Sequence, residues 1–394
     1  MLGAYRQVLR VPGAVAFAAA GLIARFPLSM QTLGTVLLVA DSTGSYALAG
    51  AVSATLAAAQ ALCGPVLGRV VDRHGQARVL LPALAAHTAG AAALIACTVA
   101  DLPAWTLFPA AALWGGSFAQ AGSLVRARWA HALGGSPLLP TAFSLESVLD
   151  EVVFVVGPVL VTTLATQVSA VVGVVAAWAF AAVGSLALAM LRRTEPPARR
   201  GTGRAPSALR LAGLRVLIVV GLALGGIFGS LEVATVAFTD ERGSPGAAGI
   251  VLALLAAGSL LSGLAYGTVG WRVPAARRFV LGVGVLALAT VPLLAAGNVP
   301  VLAGLIFLAG FAISPALIAG FGLLEELVPG ESRTEGLTWF STGLGLGVAV
   351  AASIAGQVVD AAGARVAFGV TVAAGVLAAL TALAGARTFS RAGR

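Results

Sequence analysis

From Val152 to Leu191 the chain runs 40 residues without a single charge. About 20 apolar residues of helix cross the ~30 Å hydrocarbon core of a bilayer, so this one run is twice the length of a crossing. It has to fold back on itself, and 166–169, Thr-Gln-Val-Ser, is the place where a break is expected. Similar apolar stretches recur along all 394 residues, which are 59% hydrophobic and 10% charged. A water-soluble fold has no room to hide that much apolar surface. The runs are continuous rather than alternating, so they predict membrane helices and not an outer-membrane-type barrel.

The expected spans are 13–40, 46–69, 79–99, 103–126, 141–165, 169–191, 216–238, 246–268, 279–297, 300–324, 335–358 and 366–386. That makes twelve, an all-α membrane protein. Every one of the 24 basic residues is Arg. With the N-terminus placed in the cytoplasm, 21 of the 24 fall on that side and only Arg242 and Arg365 fall outside. Arg excess in short loops marks the cytoplasmic face, so both termini are expected there and the protein in the inner cell membrane, multi-pass. The net charge of +9 is then a record of topology, and no nucleic-acid partner is expected. Met1–Arg10 is short and polar, and the apolar run behind it is too long for a signal h-region, so no cleavable signal is expected.

The longest hydrophilic stretch, Arg192–Arg215, is rich in Arg, Pro and Gly and reads as a flexible cytoplasmic linker. It divides the chain into bundles 1–191 and 216–394 with the linker at 192–215. These halves are related by an offset of 199 residues, which lays Gly50 on Gly249, Gly64 on Gly263, Gly68 on Gly267, Arg73 on Arg272, Arg78 on Arg277 and Asp41 on Asp240. A duplicated six-helix bundle with a long central loop puts a substrate site near the midplane. Cys63 and Cys97 fall in apolar segments and read as small buried residues, and the histidines His74, His87 and His131 stand singly, so no metal site or cofactor is expected. Gly343-Leu-Gly345-Leu-Gly347 lacks the Lys of a nucleotide loop and reads as a close-packing helix face.

Between the second and third spans stands Gly68-Arg-Val-Val-Asp72-Arg73-His-Gly75-Gln-Ala-Arg78. It resembles the loop motif G-x-L-A-D-R-x-G-R-K of the major facilitator superfamily, with Val70 and Gln76 departing from it. A degenerate copy, Gly267-Thr-Val-Gly-Trp-Arg272-Val-Pro-Ala-Ala-Arg277-Arg278, occupies the equivalent loop of the second half. Gly157-Pro158 faintly resembles a fifth-span motif of that family's drug–proton antiporters, while the Arg those proteins carry in the fourth span is missing from Leu113–Val125. The resemblance implies a twelve-span fold in two six-helix bundles and alternating-access transport. It also implies a gating role for Gly68, Asp72, Arg73, Gly75 and Arg78, with the loop latched against an eleventh helix starting near Glu335.

Charges inside spans are expensive, at least ~2.5–3.5 kcal/mol for a central Arg, so each one needs a reason. Arg25 lies midway along the first span and is a candidate for the substrate cavity or for an ion pair. Glu232 lies toward the outer end of the seventh span, as a cavity residue or proton-coupling acid. Glu146 and Asp150 are four apart and share one helix face, and Glu151 is turned about 100° away. Asp150 and Glu151 are candidates for proton coupling. Glu146 is a candidate for a gate ion pair with cytoplasmic arginines such as Arg73 or Arg126. Gln31, Trp114, Phe118, Phe228, Phe311, Trp339 and Phe340 complete the candidate cavity lining.

These readings converge on a secondary transporter for a small molecule, exporting it against proton entry with the proton gradient as driving force. A monomer is expected. An importer or uniporter of a polar or anionic nutrient, and a non-transporting sensor or scaffold, remain as alternatives. No catalytic constellation is present, so an enzyme is not expected.

Overall fold

The computed structural model describes residues 2–198, 207–244 and 247–392, and the middle of the expected linker, 199–206, lies outside them. Among the described residues there is no strand. The short α1 (Leu2–Leu9) precedes α2 (Ala14–Thr43), α3 (Tyr46–His74), α4 (Gln76–Val99), α5 (Leu107–Gly116) and α6 (Ala121–Leu133). Then follow α7 (Leu139–Gln167), α8 (Ala170–Met190), α9 (Ala212–Glu241), α10 (Ala247–Tyr266), α11 (Ala275–Thr290), α12 (Val299–Leu327), α13 (Arg333–Ala362) and α14 (Ala364–Ala392). Among the described residues, eleven helical segments are long and apolar enough to cross a membrane. Most run a few residues beyond the expected spans, because Arg- and Glu-bearing turns continue the helix past its apolar stretch.

The uncharged 40-residue run does fold back between α7 and α8. Ser169 is extended there and its side chain accepts the Val172 N–H, closing the start of α8 as an N-cap does. The segment expected as one fourth span, 103–126, is instead two pieces, α5 and α6, separated at 117–120. Gly115 and Gly116 are poor helix formers. Beyond them the Ser117 hydroxyl donates to the Leu113 carbonyl oxygen (2.6 Å), competing with the helical pattern. Phe118 N–H then turns back to Gly115 O (3.1 Å), and the helix stops.

The helices gather into two compact units. The N-terminal unit takes in Leu9–Ala132 and Leu149–Ala205, and the C-terminal unit Met1–Val8, Leu133–Val148 and Pro206–Arg394. Inside the N-terminal unit α2 packs on α8 and α3, α3 on α5, and α4 on α5 and α8. Inside the C-terminal unit α9 packs on α14, α10 on α12, and α11 on α12 and α14. Shifted by the 199-residue offset, four of these pairings recur in both units, with α5 answering to the middle of α12, and α9 packs in addition on α13. Small residues make the closest of them: a Cβ on Gly225 would overlap the Leu344 carbonyl, and one on Gly347 the Leu222 carbonyl, so α9 and α13 touch backbone to backbone. Gly343 shares that contact, whereas Gly345 points into open space. Cys97 is half-buried but Cys63 is exposed on α3, where a small apolar thiol suits a lipid-facing position.

Candidate functional site

Three charged side chains from three helices of the N-terminal unit meet at Asp150 of α7. Arg25 of α2 donates from Nη1 to Oδ1 at 3.0 Å, and Arg126 of α6 donates from Nη2 to Oδ2 at 2.6 Å. Each carboxylate oxygen is thus held by a different guanidinium, in charge-assisted bonds that are the strong class of hydrogen bond. The side chains of Arg25 and Arg126 are 2% and 4% exposed, that of Asp150 29%. A charge so far from water is tolerated only when paired. Gly122, near the start of α6, leaves the room: a Cβ there would stand 3.2 Å from Arg126 Nη1 and 3.5 Å from Arg25 Nε. Beside this cluster the Ser29 hydroxyl of α2 donates to the Val153 carbonyl of α7 at 2.9 Å.

A second polar group of the same unit closes the break after α5. Trp114 O, which a continuous helix would give to Phe118, accepts instead from His87 Nδ1 of α4 at 2.9 Å. His87 Nε2 in turn accepts from the indole Nε1–H of Trp114 at 3.0 Å, with Gln31 Nε2 at 3.3 Å. These partners fix the neutral imidazole with its proton on Nδ1. Gln31, His87 and Trp114 are all buried, and Phe118 packs on the His87 ring at 5.8 Å. A cleft no larger than a water molecule opens beside His87, Ser117 and Phe118.

The loop motif sits at the end of α3. Gly75 has φ +89°, a backbone conformation that favours glycine, and its N–H bonds Val71 O as α3 ends. Asp72 is half-buried, while Arg73 and Arg78 are exposed. Gln76, where the family motif carries a basic residue, accepts from Arg128 Nε at 2.7 Å and donates to Leu124 O at 3.0 Å. Arg128 is wholly buried and also donates to Leu188 O, Leu191 O and Thr194 Oγ1 at 2.7–2.9 Å, satisfying carbonyls left open at the end of α8. Glu195 just beyond accepts from the Ala77 N–H at 3.2 Å, placing an anion on the first turn of α4. In the sequence Arg128 is indistinguishable from a topological charge, and nothing local marks Gln76, His87 or Glu195 as partners.

In the C-terminal unit, Gly267, the counterpart of Gly68, accepts from Thr141 Oγ1 at 2.6 Å. The Ser144 hydroxyl donates to Gly263 O, and the Tyr5 hydroxyl of α1 lies 2.8 Å from Ser144 Oγ and 3.0 Å from Leu264 O. Burial pushes the Tyr5 phenol above its ordinary range, against a smaller opposing effect of Ser144. Glu335, in the first turn of α13, accepts from Ser207 Oγ at 2.6 Å and from the Ala208 N–H at 3.3 Å. Glu232 is exposed on α9, Glu146 is fully buried and Glu151 half-buried on α7. Phe228 is half-buried and Phe311 is 39% exposed, edge-on to Phe307. Phe340 is buried against Phe321. The Trp339 indole N–H and the Thr342 hydroxyl, three residues apart on α13, have no hydrogen-bond partner among the described residues.

The family model of the Major Facilitator Superfamily matches residues 17–290 and 216–392. The chain belongs to this superfamily. None of the curated proteins matches it in sequence. Among solved structures it is similar to the human organic anion transporter MFSD10, with 19% identity, TM-score 0.70 and coverage of 96% of this chain and 99% of that one. A bacterial homologue of the iron transporter ferroportin shares 17% identity at TM-score 0.75, covering 96% and 99%. The E. coli fucose:proton symporter FucP shares 13% at TM-score 0.71, covering 95% and 98%. At these identities the likeness is one of fold. The protein is a multi-pass membrane transporter of this superfamily and not an enzyme.

Proposed function

We propose that the protein is a secondary active transporter that exports a small molecule from the cytoplasm by alternating access, driven by proton entry. The observation that carries the coupling is Asp150 held between Arg25 and Arg126 inside an apolar helical unit. Such a carboxylate exchanges its ion pairs for a proton when its surroundings change, and this gives transport a step that consumes the gradient. Glu151, beside it on α7, and Glu232, exposed on α9, are the further carboxylates of the coupling scheme. Gln31, Trp114, Phe118, Phe228, Phe311 and Trp339 are proposed for the substrate path, where the Trp339 indole N–H offers a donor. Gly68, Asp72, Arg73, Gly75 and Arg78 are proposed as the gating loop, with Glu146, Arg126 and Glu335 in gate electrostatics.

Counting α5 and α6 together as one crossing gives the proposed twelve, with both termini cytoplasmic, bundles 1–191 and 216–394 joined by 192–215, and a monomer in the inner cell membrane. The two guanidiniums on one site favour a second reading, an importer or uniporter of an anionic nutrient.

Proteoliposomes with an imposed pH gradient test the coupling. Substrate-triggered proton flux is expected in the native protein and is lost in Asp150→Asn. Undiminished coupled flux in Asp150→Asn, Glu151→Gln and Glu232→Gln would overturn proton coupling through these acids.

A further inference from the structure

We propose that Arg25 and Arg126 form a recognition site for an anionic group of the substrate, a carboxylate or a phosphate, and that Asp150 occupies this site until a proton displaces it. The inference rests on the second transporter reading, the importer of an anionic nutrient, because a proton taken up with each anion travels in the same direction as the anion, and it names the substrate class of the same site. Its first support is the order of exposure. The carboxylate, 29% exposed, is the approachable member of the trio, and the guanidiniums behind it are 2% and 4% exposed. An anion reaching the cluster meets the acid first and the arginines second.

The second support is geometry. Asp150 presents two oxygens, and each is taken by a different arginine from a different helix, at 3.0 and 2.6 Å. A substrate carboxylate or phosphate offers the same pair of acceptors and fits the same donors, since planar guanidinium forks match both groups. The absent side chain at Gly122 lets both guanidiniums lie against the α6 backbone, where a Cβ would stand 3.2 Å from Arg126 Nη1 and 3.5 Å from Arg25 Nε. Gly122 is the second residue of α6, so the positive end of that helix adds to the field there.

Exchange balances in charge. A proton from solvent adds to one oxygen of Asp150, the two ion pairs break, and the incoming anion takes the vacated donors. One proton is taken up for each anion bound, and release reverses both steps. The charged groups facing Asp150 are Arg25 from α2 and Arg126 from α6, and its own helix carries Glu146 one turn earlier and Glu151 next to it. An acid serving only as a structural tie between helices would show no such stoichiometry.

The test is equilibrium binding to the full-length protein in lipid nanodiscs, with acetate, benzoate, citrate and inorganic phosphate as separate probes between pH 5.5 and 8.5. In the native protein the affinity for at least one probe is expected to fall about tenfold per pH unit above the Asp150 titration, the slope of one linked proton. In Asp150→Asn the slope vanishes and the anion binds at least about tenfold tighter at pH 8 than in the native protein. Arg126→Gln in that background abolishes binding. A flat pH profile, or no binding of any of the four probes in both native protein and Asp150→Asn, overturns the proposal; the native profile needs no variant to fold. Counterflow of neutral and cationic compounds in proteoliposomes is read separately. Flux there with no anion binding sinks this inference and leaves the transporter reading standing. Linked anion binding without flux of any compound does the reverse.

Discussion

His87 and Trp114 exchange two hydrogen bonds: the indole N–H goes to imidazole Nε2 at 3.0 Å, and the imidazole Nδ1–H goes to the Trp114 carbonyl at 2.9 Å. The second bond replaces the helical one lost where α5 stops. A helix can break inside an apolar unit only if the freed carbonyl finds another donor, and here α4 supplies it. His87→Phe removes that donor, leaves the carbonyl only the Ser117 hydroxyl at 3.3 Å, and strands the buried Trp114 indole N–H, at a cost of about 1–3 kcal/mol. The thermal unfolding midpoint in detergent is expected to drop clearly, whereas His87→Asn, which restores a donor of similar reach, recovers part of the loss. An unchanged midpoint in His87→Phe would show that the break is held by other contacts.

Gly75 ends α3 in a backbone conformation, φ +89° and ψ 156°, that only glycine adopts readily. Gly75→Ala has to strain the turn or shift it, for about 1–3 kcal/mol. It also crowds the Glu195 carboxylate that caps the start of α4. The expected result is a lowered midpoint in differential scanning fluorimetry together with faster proteolysis of the α3–α4 loop. The neighbouring exposed Arg78→Gln, by contrast, moves the midpoint by less than about 0.5 kcal/mol in stability.

Arg128 and Arg126 stand two residues apart on α6 and are separated by what they touch. Arg128 fastens Gln76, Leu188, Leu191 and Thr194 together and has no acid in direct hydrogen-bond contact among the described residues. Its replacement by Met leaves four acceptors without their donor, and a loss of roughly 3 kcal/mol or more is expected. Gln76→Glu provides a milder check, because a carboxylate in place of the amide accepts more strongly from Arg128 but can no longer donate to Leu124 O. Chemical denaturation of the purified variants measures both, and Arg128→Met with native stability would refute the role.

The membrane helices were legible because each apolar stretch is as long as a bilayer is thick, and that length survives in any fold. The interruption at 117–120 was not, since Gly-Gly within an apolar run is as common at a helix contact as at a helix end. The His87 group hid for another reason: its partners lie 27 and 56 residues away, and a single His on an apolar stretch gives no local sign of them. Arg128 looked like one more topological charge, because a buried Arg near a loop has the same sequence surroundings as a solvated one. For Asp150 the expense of an acid in a span was visible beforehand, but its two arginines, 125 and 24 residues away, came together only in the fold.

That pairing makes the last prediction one about non-additivity. Arg126→Gln alone leaves Asp150 with one of its two charged donors, and Asp150→Asn alone leaves Arg126 facing an amide. Each single change removes a buried charge from its partner, and breaking such a pair from one side typically costs about 3–5 kcal/mol. In the double variant neither charge faces a missing partner across this bond, so its cost should fall short of the sum of the two single costs by about 0.5–3 kcal/mol, the usual range for residues in one network. The same cycle run on Arg78 and Asp150 should close to within about 0.5 kcal/mol, since Arg78 is exposed and makes no bond to that carboxylate. Additive costs for Arg126 and Asp150, measured by reversible unfolding in mixed micelles, would mean that the 2.6 Å bond contributes nothing of its own to the stability of the N-terminal unit.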